Sequence, residues 1–251
     1  MSIMHGANSQ HLEAELQQRG FVFLDAPHVR AWLEAEGSLS DWASFAASWD
    51  DLRLDTFMAD GGRYRKRRHG VFAAVRRDAI TRQPHQAHWQ SRDYNPLNGG
   101  HARWFEPLTD ATANSVSLGT VLQGFRRICS DLAPEVVAWH IEVHQFRIEA
   151  SREGAGQPTP EGMHRDGVDF VLVLMIGRHN IREGATSIHA LDGSELGRFT
   201  LTTAFDAAIV EDWRVFHGVT PVEPIDPALP SSRDVLVVTF RRLDDAPTRR
   251  S

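Results

Sequence analysis

The texture of the second half of the chain narrows the fold most. From Trp139 onward β-strand signals dominate: Trp139 to Ile148 alternates, Phe170 to Ile176 is an almost unbroken apolar run, and Val235 to Phe240 is rich in valine. Short strands of this kind, parted by turn segments, point to an all-β barrel or sandwich.

The first half reads as helical and loop material that supports such a core. His11 to Arg19 has helical spacing, and Asp25 to Glu34 continues it. Ser38 or Ser40 is the expected cap of a helix through Trp42, Phe45 and Trp49, an aromatic stripe that reads as core packing. Gly61 to Leu108 is loop-rich with short strands, punctuated by Asn95-Pro96 and Gly99-Gly100. Asn114 to Leu132 returns to helix periodicity, with Leu118, Val121, Leu122, Phe125 and Ile128 on one face and Pro134 just past its end. The expectation is one domain over residues 1–251, with a helical and loop cap over about 1–135 and core strands over about 136–243. Asp245 to Ser251 reads as a frayed polar tail.

Composition excludes several partners. A net charge of −6 gives no general electrostatic reason for binding nucleic acid. The basic cluster Arg63-Tyr64-Arg65-Lys66-Arg67-Arg68 reads as a solvated loop or a gate over an anionic substrate. The lone Cys129 allows no internal disulfide, and Met1 to Arg19 lacks the pattern of a secretory leader. No run of about 18 apolar residues would span a bilayer. The expectation is a cytoplasmic protein without a membrane partner. A homo-oligomer is compatible with the sequence.

The chemistry centres on His164-Arg165-Asp166-Gly167, after a Gly- and Pro-bearing loop and before the apolar run from Phe170. In a strand, residues two apart face the same way, so His164 and Asp166 would offer an imidazole and a carboxylate to one point. With 13 histidines and 33 acidic residues, such a pair is weak evidence alone. His217, inside Val215-Phe216-His217-Gly218-Val219, supplies a third ligand in a strand-like setting. Two imidazoles and one carboxylate leave three coordination sites open, the arrangement of Fe(II) oxygenases, whereas a closed zinc site needs a fourth ligand and often thiolates. Arg233 opens the last valine-rich strand, where its planar fork could take a carboxylate; the alternative is a surface residue at a strand start.

Around these residues the chain resembles the bacterial 2-oxoglutarate/Fe(II)-dependent dioxygenases that hydroxylate free amino acids, the isoleucine dioxygenase-like branch. The matching text is P-E-G-M-H-R-D-G-V-D-F-V, R-H-N-I-R-E-G-A-T-S, H-G-V-T-P-V and R-D-V-L-V-V-T-F, with Q-S-R-D-Y-N-P-L-N-G-G and H-Q-F-R-I upstream. The resemblance implies a mainly β fold with flanking helices around a double-stranded β-helix of the jelly-roll or cupin-like kind. It implies Fe(II) on His164, Asp166 and His217, and Arg233 on the far carboxylate of 2-oxoglutarate. It further implies that 2-oxoglutarate and O2 are consumed, with release of succinate and CO2, to hydroxylate an unactivated C–H bond of a free L-amino acid or close derivative. A carboxylate at Asp166 fills the place that halide would need in a related halogenase. Where the family pattern has two glycines, this chain has Glu183-Gly184, a departure that bears on the substrate.

Secondary site candidates rest on parity and position. Gln145 and Arg147 share one face of the Trp139 to Ile148 strand and read either as contacts for cosubstrate or substrate or as an external salt bridge. Arg103 is the candidate anchor for an amino-acid carboxylate, and Gln90, Ser91 and Asn95 lie near it in sequence, where they would cover the mouth of the site. Thr239 shares a strand face with Arg233, which would set its hydroxyl near 2-oxoglutarate. His69, His85, His88 and His101 lack ligand spacing and read as loop or surface histidines. Two other readings stay open at this point: the same chemistry on a peptidyl side chain or natural-product intermediate, and a barrel that senses metal or ligand without turnover.

Overall fold

Period-two alternation, carried by strands from both halves of the chain, builds the core. The computed structural model describes residues 9–75 and 78–243; the tail expected over Asp245 to Ser251 lies outside them. The first part holds α1 (Ser9–Arg19), β1 (Phe21–Leu24), α2 (Ala26–Glu36), α3 (Trp42–Ala47), β2 (Arg53–Leu54), β3 (Arg65–Val75), β4 (Thr81–Arg82), α4 (Asp110–Ala113) and α5 (Val116–Leu132). The second holds β5 (Ala138–Ala150), β6 (Phe170–His179), β7 (Ile181–Glu183), β8 (Thr186–Ala190), β9 (Glu195–Phe199), β10 (Ala207–Glu211), β11 (Val215–Val219), β12 (Val222–Pro224) and β13 (Ser231–Arg242).

The main sheet runs β1-β10-β6-β13-β5-β3-β2, with β4 added on β3, and every pairing is antiparallel. A smaller sheet, β11-β8-β9, and the pair β12-β7 complete the strands. Main-sheet residues of β3, β5, β6, β10 and β13, together with β8 and β11, line one cavity, so two layers enclose a common interior, as in a double-stranded β-helix. The sequence division at about residue 135 is too sharp. β1 and β3 come from the first part yet pair within the main sheet, β3 along the whole of Arg65–Val75 against β5. Arg65, Arg67 and Arg68 are therefore buried strand residues and not a solvated loop.

The helices cover the outer face of the main sheet. Leu12, Leu16, Leu33, Phe45, Trp49 and Phe125 join Trp139, Ile141, Val143, Leu236, Val238 and Phe240 in the largest apolar cluster. The aromatic stripe that runs from α3 into the 3-10 turn Ser48–Asp51 is core as expected: Phe45 meets Trp49 edge-on at 5.3 Å. Alternation then fixes the inner face. With Trp139, Ile141 and Val143 turned to the helices, His140, Glu142, His144, Phe146 and Ile148 turn to the cavity. In β13, Arg233, Val235, Val237 and Thr239 do the same.

Candidate active site

A cavity of about 510 Å³ lies between the two sheets, in the size range of small-molecule sites. Valines and other apolar residues of β6, β10 and β13 wall its middle, and polar groups gather at its ends. Among the described residues, several buried polar atoms without a partner belong to this lining: Nε of Arg67 and Arg103, Oε2 of Glu161, Nδ1 of His217, and Nε and Nη2 of Arg233. Buried polar atoms are normally paired, so this concentration marks where a ligand binds.

His164, Asp166 and His217 converge, each offering one ligand atom within 4.8 Å of the others. The expectation of a strand around His164 is not met. A single antiparallel bridge instead ties His164 to His217 through backbone hydrogen bonds of 2.9 and 3.0 Å. After it the chain turns, with Gly167 at φ 79°, where a Cβ would come within 2.6 Å of the Tyr94 ring. The buried carboxylate of Asp212 fixes this turn by accepting the backbone N–H groups of Asp166, Gly167 and Val168 at 2.9, 2.7 and 3.2 Å. Asp212 was legible only as part of a turn before His217.

Proton positions suit metal binding. Nδ1 of His164 lies 3.0 Å from the Gly162 carbonyl, so this nitrogen donates and Nε2 keeps its lone pair toward Asp166, 3.7 Å away. Nε2 of His217 is 3.5 Å from Oδ2 of the same carboxylate. Burial would raise the Asp166 carboxyl, but the hydrogen bond from His217 and the charges of both histidines outweigh it and hold it well below the usual carboxylate range. Once those imidazole protons are released, one anion and two neutral nitrogens on one side of a point fit a divalent cation and leave its other side open. Gln90 steadies the carboxylate with a 3.3 Å bond from Nε2 to Oδ1.

Arg233 is 2% exposed and lines the cavity with Nε and Nη2 unpartnered. Burial and the nearby Arg178 push its pKa down to about 10 against the pull of Asp234, so it remains a cation at neutral pH. A bidentate donor of this kind matches a carboxylate. Beside it, Glu183 and Gly184 both have left-handed backbone, at φ 63° and 78°. A Cβ on Gly184 would lie 2.8 Å from Val222, 3.3 Å from Arg178 and 3.8 Å from Arg233. The departure from two glycines thus keeps a glycine-like backbone and adds an exposed carboxylate side chain that interacts with Arg178.

The other candidates divide. Arg103 is 2% exposed in the cavity wall and holds Gln90 Oε1 at 3.3 Å. Gln145 and Arg147 lie outside: Gln145 bonds Ser48, and Arg147 pairs with Asp234 and Asp50. Their parity is that of Trp139, Ile141 and Val143, which the helices cover, so the salt-bridge alternative holds for Arg147. Thr239 does face the cavity, but it stands six positions along β13 from Arg233, about 20 Å of strand. It lies level with Glu142 and not beside the arginine. His69 and His88 are not surface histidines either, since both gather at Glu142 with His144. Glu161 escaped sequence reading although it stands three residues before His164; its Oε1 is 3.5 Å from Nε2 of that histidine.

The 2OG-Fe dioxygenase family matches residues 46–239, which include all of these residues. The chain belongs to that family. It is therefore an Fe(II)- and 2-oxoglutarate-dependent enzyme that uses O2. It is 23% identical over 239 residues, 92% of its length and 95% of the relative's, to 3(1)-hydroxy-L-isoleucine 4-dioxygenase of Pantoea ananatis. It is 25% identical over 158 residues to L-isoleucine-4-hydroxylase of Bacillus thuringiensis, 61% of this chain and 64% of that one. Among solved structures, a bsmA homolog from Methylobium petroleophilum superposes with a TM-score of 0.87 at 36% identity, over 98% of each chain. The fold is thus shared over 98% of the chain.

Proposed function

We propose that this dioxygenase hydroxylates a free L-amino acid or a close derivative, with His164, Asp166 and His217 holding Fe(II) and Arg233 holding the far carboxylate of 2-oxoglutarate. The observation that carries this reading is one cavity with an open-sided two-histidine, one-carboxylate cluster and a buried guanidinium that has free donors. The names of the two curated relatives support the amino-acid class. Bound at the triad, Fe(II) with 2-oxoglutarate and O2 supplies the oxidising power to replace an aliphatic hydrogen by hydroxyl.

The protein's own residues do the positioning. Asp212 holds the Asp166 turn, and the Gly162 carbonyl fixes the tautomer of His164. Arg103 takes the substrate's α-carboxylate, and Glu161, with Oε2 unpartnered, takes its ammonium group. A zwitterion needs one partner of each sign once it is desolvated. The apolar middle of the cavity excludes water from the reacting carbon. No described helix is long and apolar enough to cross a membrane. With one buried, free Cys129, a reducing cytoplasmic setting fits the chain.

The test is succinate formation from 2-oxoglutarate with Fe(II) and a panel of free L-amino acids. Amino-acid-dependent succinate and hydroxylated product are expected, and His217→Ala should abolish both while circular dichroism stays unchanged. A panel that leaves succinate at its background rate would refute the amino-acid reading. Full activity in His217→Ala would remove the assigned triad.

A further inference from the structure

At the end of the cavity where Thr239 pairs with Glu142, imidazoles surround one carboxylate. β5 turns His140, Glu142 and His144 to the same face, and His69 stands opposite His144 on β3. His88 joins them from the segment that bridges to Arg103. Oε2 of Glu142 lies 2.5 Å from Nδ1 of His88, 3.2 Å from Nε2 of His144 and 3.4 Å from Nε2 of His69, while Oε1 lies 3.2 Å from Nε2 of His140. His69, His88, Glu142 and His144 each offer one donor atom within 4.8 Å of the others, the spacing of a metal site that shares no residue with the triad.

Proton positions sort this ring into ligands and supports. Nη2 of Arg67 is 2.7 Å from Nδ1 of His144. A guanidinium only donates, so that nitrogen accepts, and the proton of His144 sits on Nε2, where it donates to Glu142. His140 donates to the other oxygen. Both hold the carboxylate in place, as the outer partners of metal ligands do. His69 differs: it is 0% exposed, and neither of its ring nitrogens has a hydrogen-bond partner among the described residues. Burial keeps its pKa below the usual imidazole value against the pull of Glu142, so the ring is neutral at pH 7 and can turn a lone pair on Nε2 toward the carboxylate. His88 donates from Nδ1 to Glu142; moving that proton to Nε2 makes Nδ1 a second ligand at no cost in net charge. Glu142 supplies the anion, since the surrounding imidazoles outweigh burial and hold its carboxyl well below the usual carboxylate range.

We propose that His69, His88 and Glu142 form a second divalent-metal site, suited to Zn(II), in the wall of the cavity. The separations of 2.5 and 3.4 Å from Oε2 bracket the spacing of about 3.3 Å between donor atoms in a tetrahedron with bonds of about 2.0 to 2.1 Å. The fourth position opens to the cavity for water. Arg67 opposes a cation here, although Asp55, 3.5 Å from it, takes up part of its charge. The site therefore favours an ion that binds imidazole strongly, Zn(II), over Mn(II) at the foot of the affinity series. Bound there, the ion ties β3, β5 and the segment of His88 together. Gln90, two residues on, bonds Asp166 and accepts from Arg103, so the tie stiffens the wall of the active site. The inference lies outside the assigned activity and does not depend on which compound is hydroxylated.

The test uses Zn(II) alone as the probe, on chelator-stripped full-length protein, with metal per chain read by mass spectrometry. The parent should hold two zinc ions, one at the triad and one at the cluster. His217→Ala, with the triad disabled, should still hold one, and Zn(II) should still raise its Tm. Adding His88→Gln to His217→Ala should weaken that remaining site by at least about a hundredfold, since even the loss of an outer partner costs about 10- to 100-fold. Glu142→Gln in the same background, which keeps the side-chain volume, should do the same, with circular dichroism confirming the fold of each variant. Mn(II) at the same concentration should leave His217→Ala unloaded. A His217→Ala protein that takes up no zinc, or that binds it equally well with His88→Gln or Glu142→Gln, would overturn the site. Equal loading by Mn(II) would overturn its selectivity.

Discussion

At the scale of single residues, the role proposed for Arg233 rests on its placement. It sits on the inner face of β13 with two donor atoms unpartnered, and its charge survives burial at neutral pH. A lysine would keep the charge but lose the planar pair of donors. Arg233→Lys should raise the KM for 2-oxoglutarate about tenfold to a hundredfold, about 1.4 to 3 kcal/mol, with a smaller change in kcat. Initial rates at varied 2-oxoglutarate check this; an unchanged KM would move the anchor elsewhere. A side chain at the nearby Gly184 would be disfavoured, since its backbone is left-handed and an added Cβ would meet Val222 at 2.8 Å and Arg178 at 3.3 Å.

At the scale of elements, the chain joins distant segments through groups whose roles local sequence hides. Asp41 precedes α3, where it makes no side-chain cap. Its carboxylate instead accepts from Ser115 Oγ, Val116 N, Ser117 N and Ser117 Oγ at 2.8, 2.9, 2.8 and 2.5 Å, all at the start of α5. Neither expected cap, Ser38 or Ser40, caps α3: its N-cap position is Asp41, whose carboxylate goes to the start of α5 more than 70 residues away. Burial opposes ionisation of Asp41, but hydrogen bonds from Ser117, Ser115 and two backbone amides bring its pKa down from 3.8 to about 2. A folded-state pKa below the unfolded value contributes stability that is present at neutral pH and lost as pH falls from about 4 through about 2. Asp41→Asn should therefore cost about 1 kcal/mol at pH 7, discounted for partial solvent screening. Urea denaturation should show the gap between variant and parent closing near pH 2; a gap unchanged with pH would assign the loss to packing.

Across the whole molecule, the two layers meet through the site. The triad comes from β11 of the smaller sheet and the loop it bridges, while Arg233 belongs to the main sheet. The strands, the convergence of His164, Asp166 and His217 and the inward placement of Arg233 were legible because alternation, apolar runs and residue chemistry are local signals. Asp212, Glu161 and the Glu142 cluster were not, since each acquires meaning only from segments brought together by folding. Gln145 and Arg147 lie between these cases: Trp139, Ile141 and Val143 fixed the covered face of β5, and the same parity sends both polar residues with them. A metal at the triad that also holds 2-oxoglutarate, itself gripped by Arg233, would tie the sheets together in the folded state alone. Binding at about a hundred times Kd adds about 2.7 kcal/mol, which for a chain of this size raises Tm by about 5 to 10 °C. Anaerobic thermal denaturation with Mn(II), and then with Mn(II) plus 2-oxoglutarate, should show two successive increments. His217→Ala should lose both, because the cosubstrate's chelating end needs the metal. Arg233→Lys should keep the first and lose about half or more of the second at the same ligand concentration. A second increment that persists in full without the Arg233 fork would mean that the cosubstrate engages only one layer of the barrel.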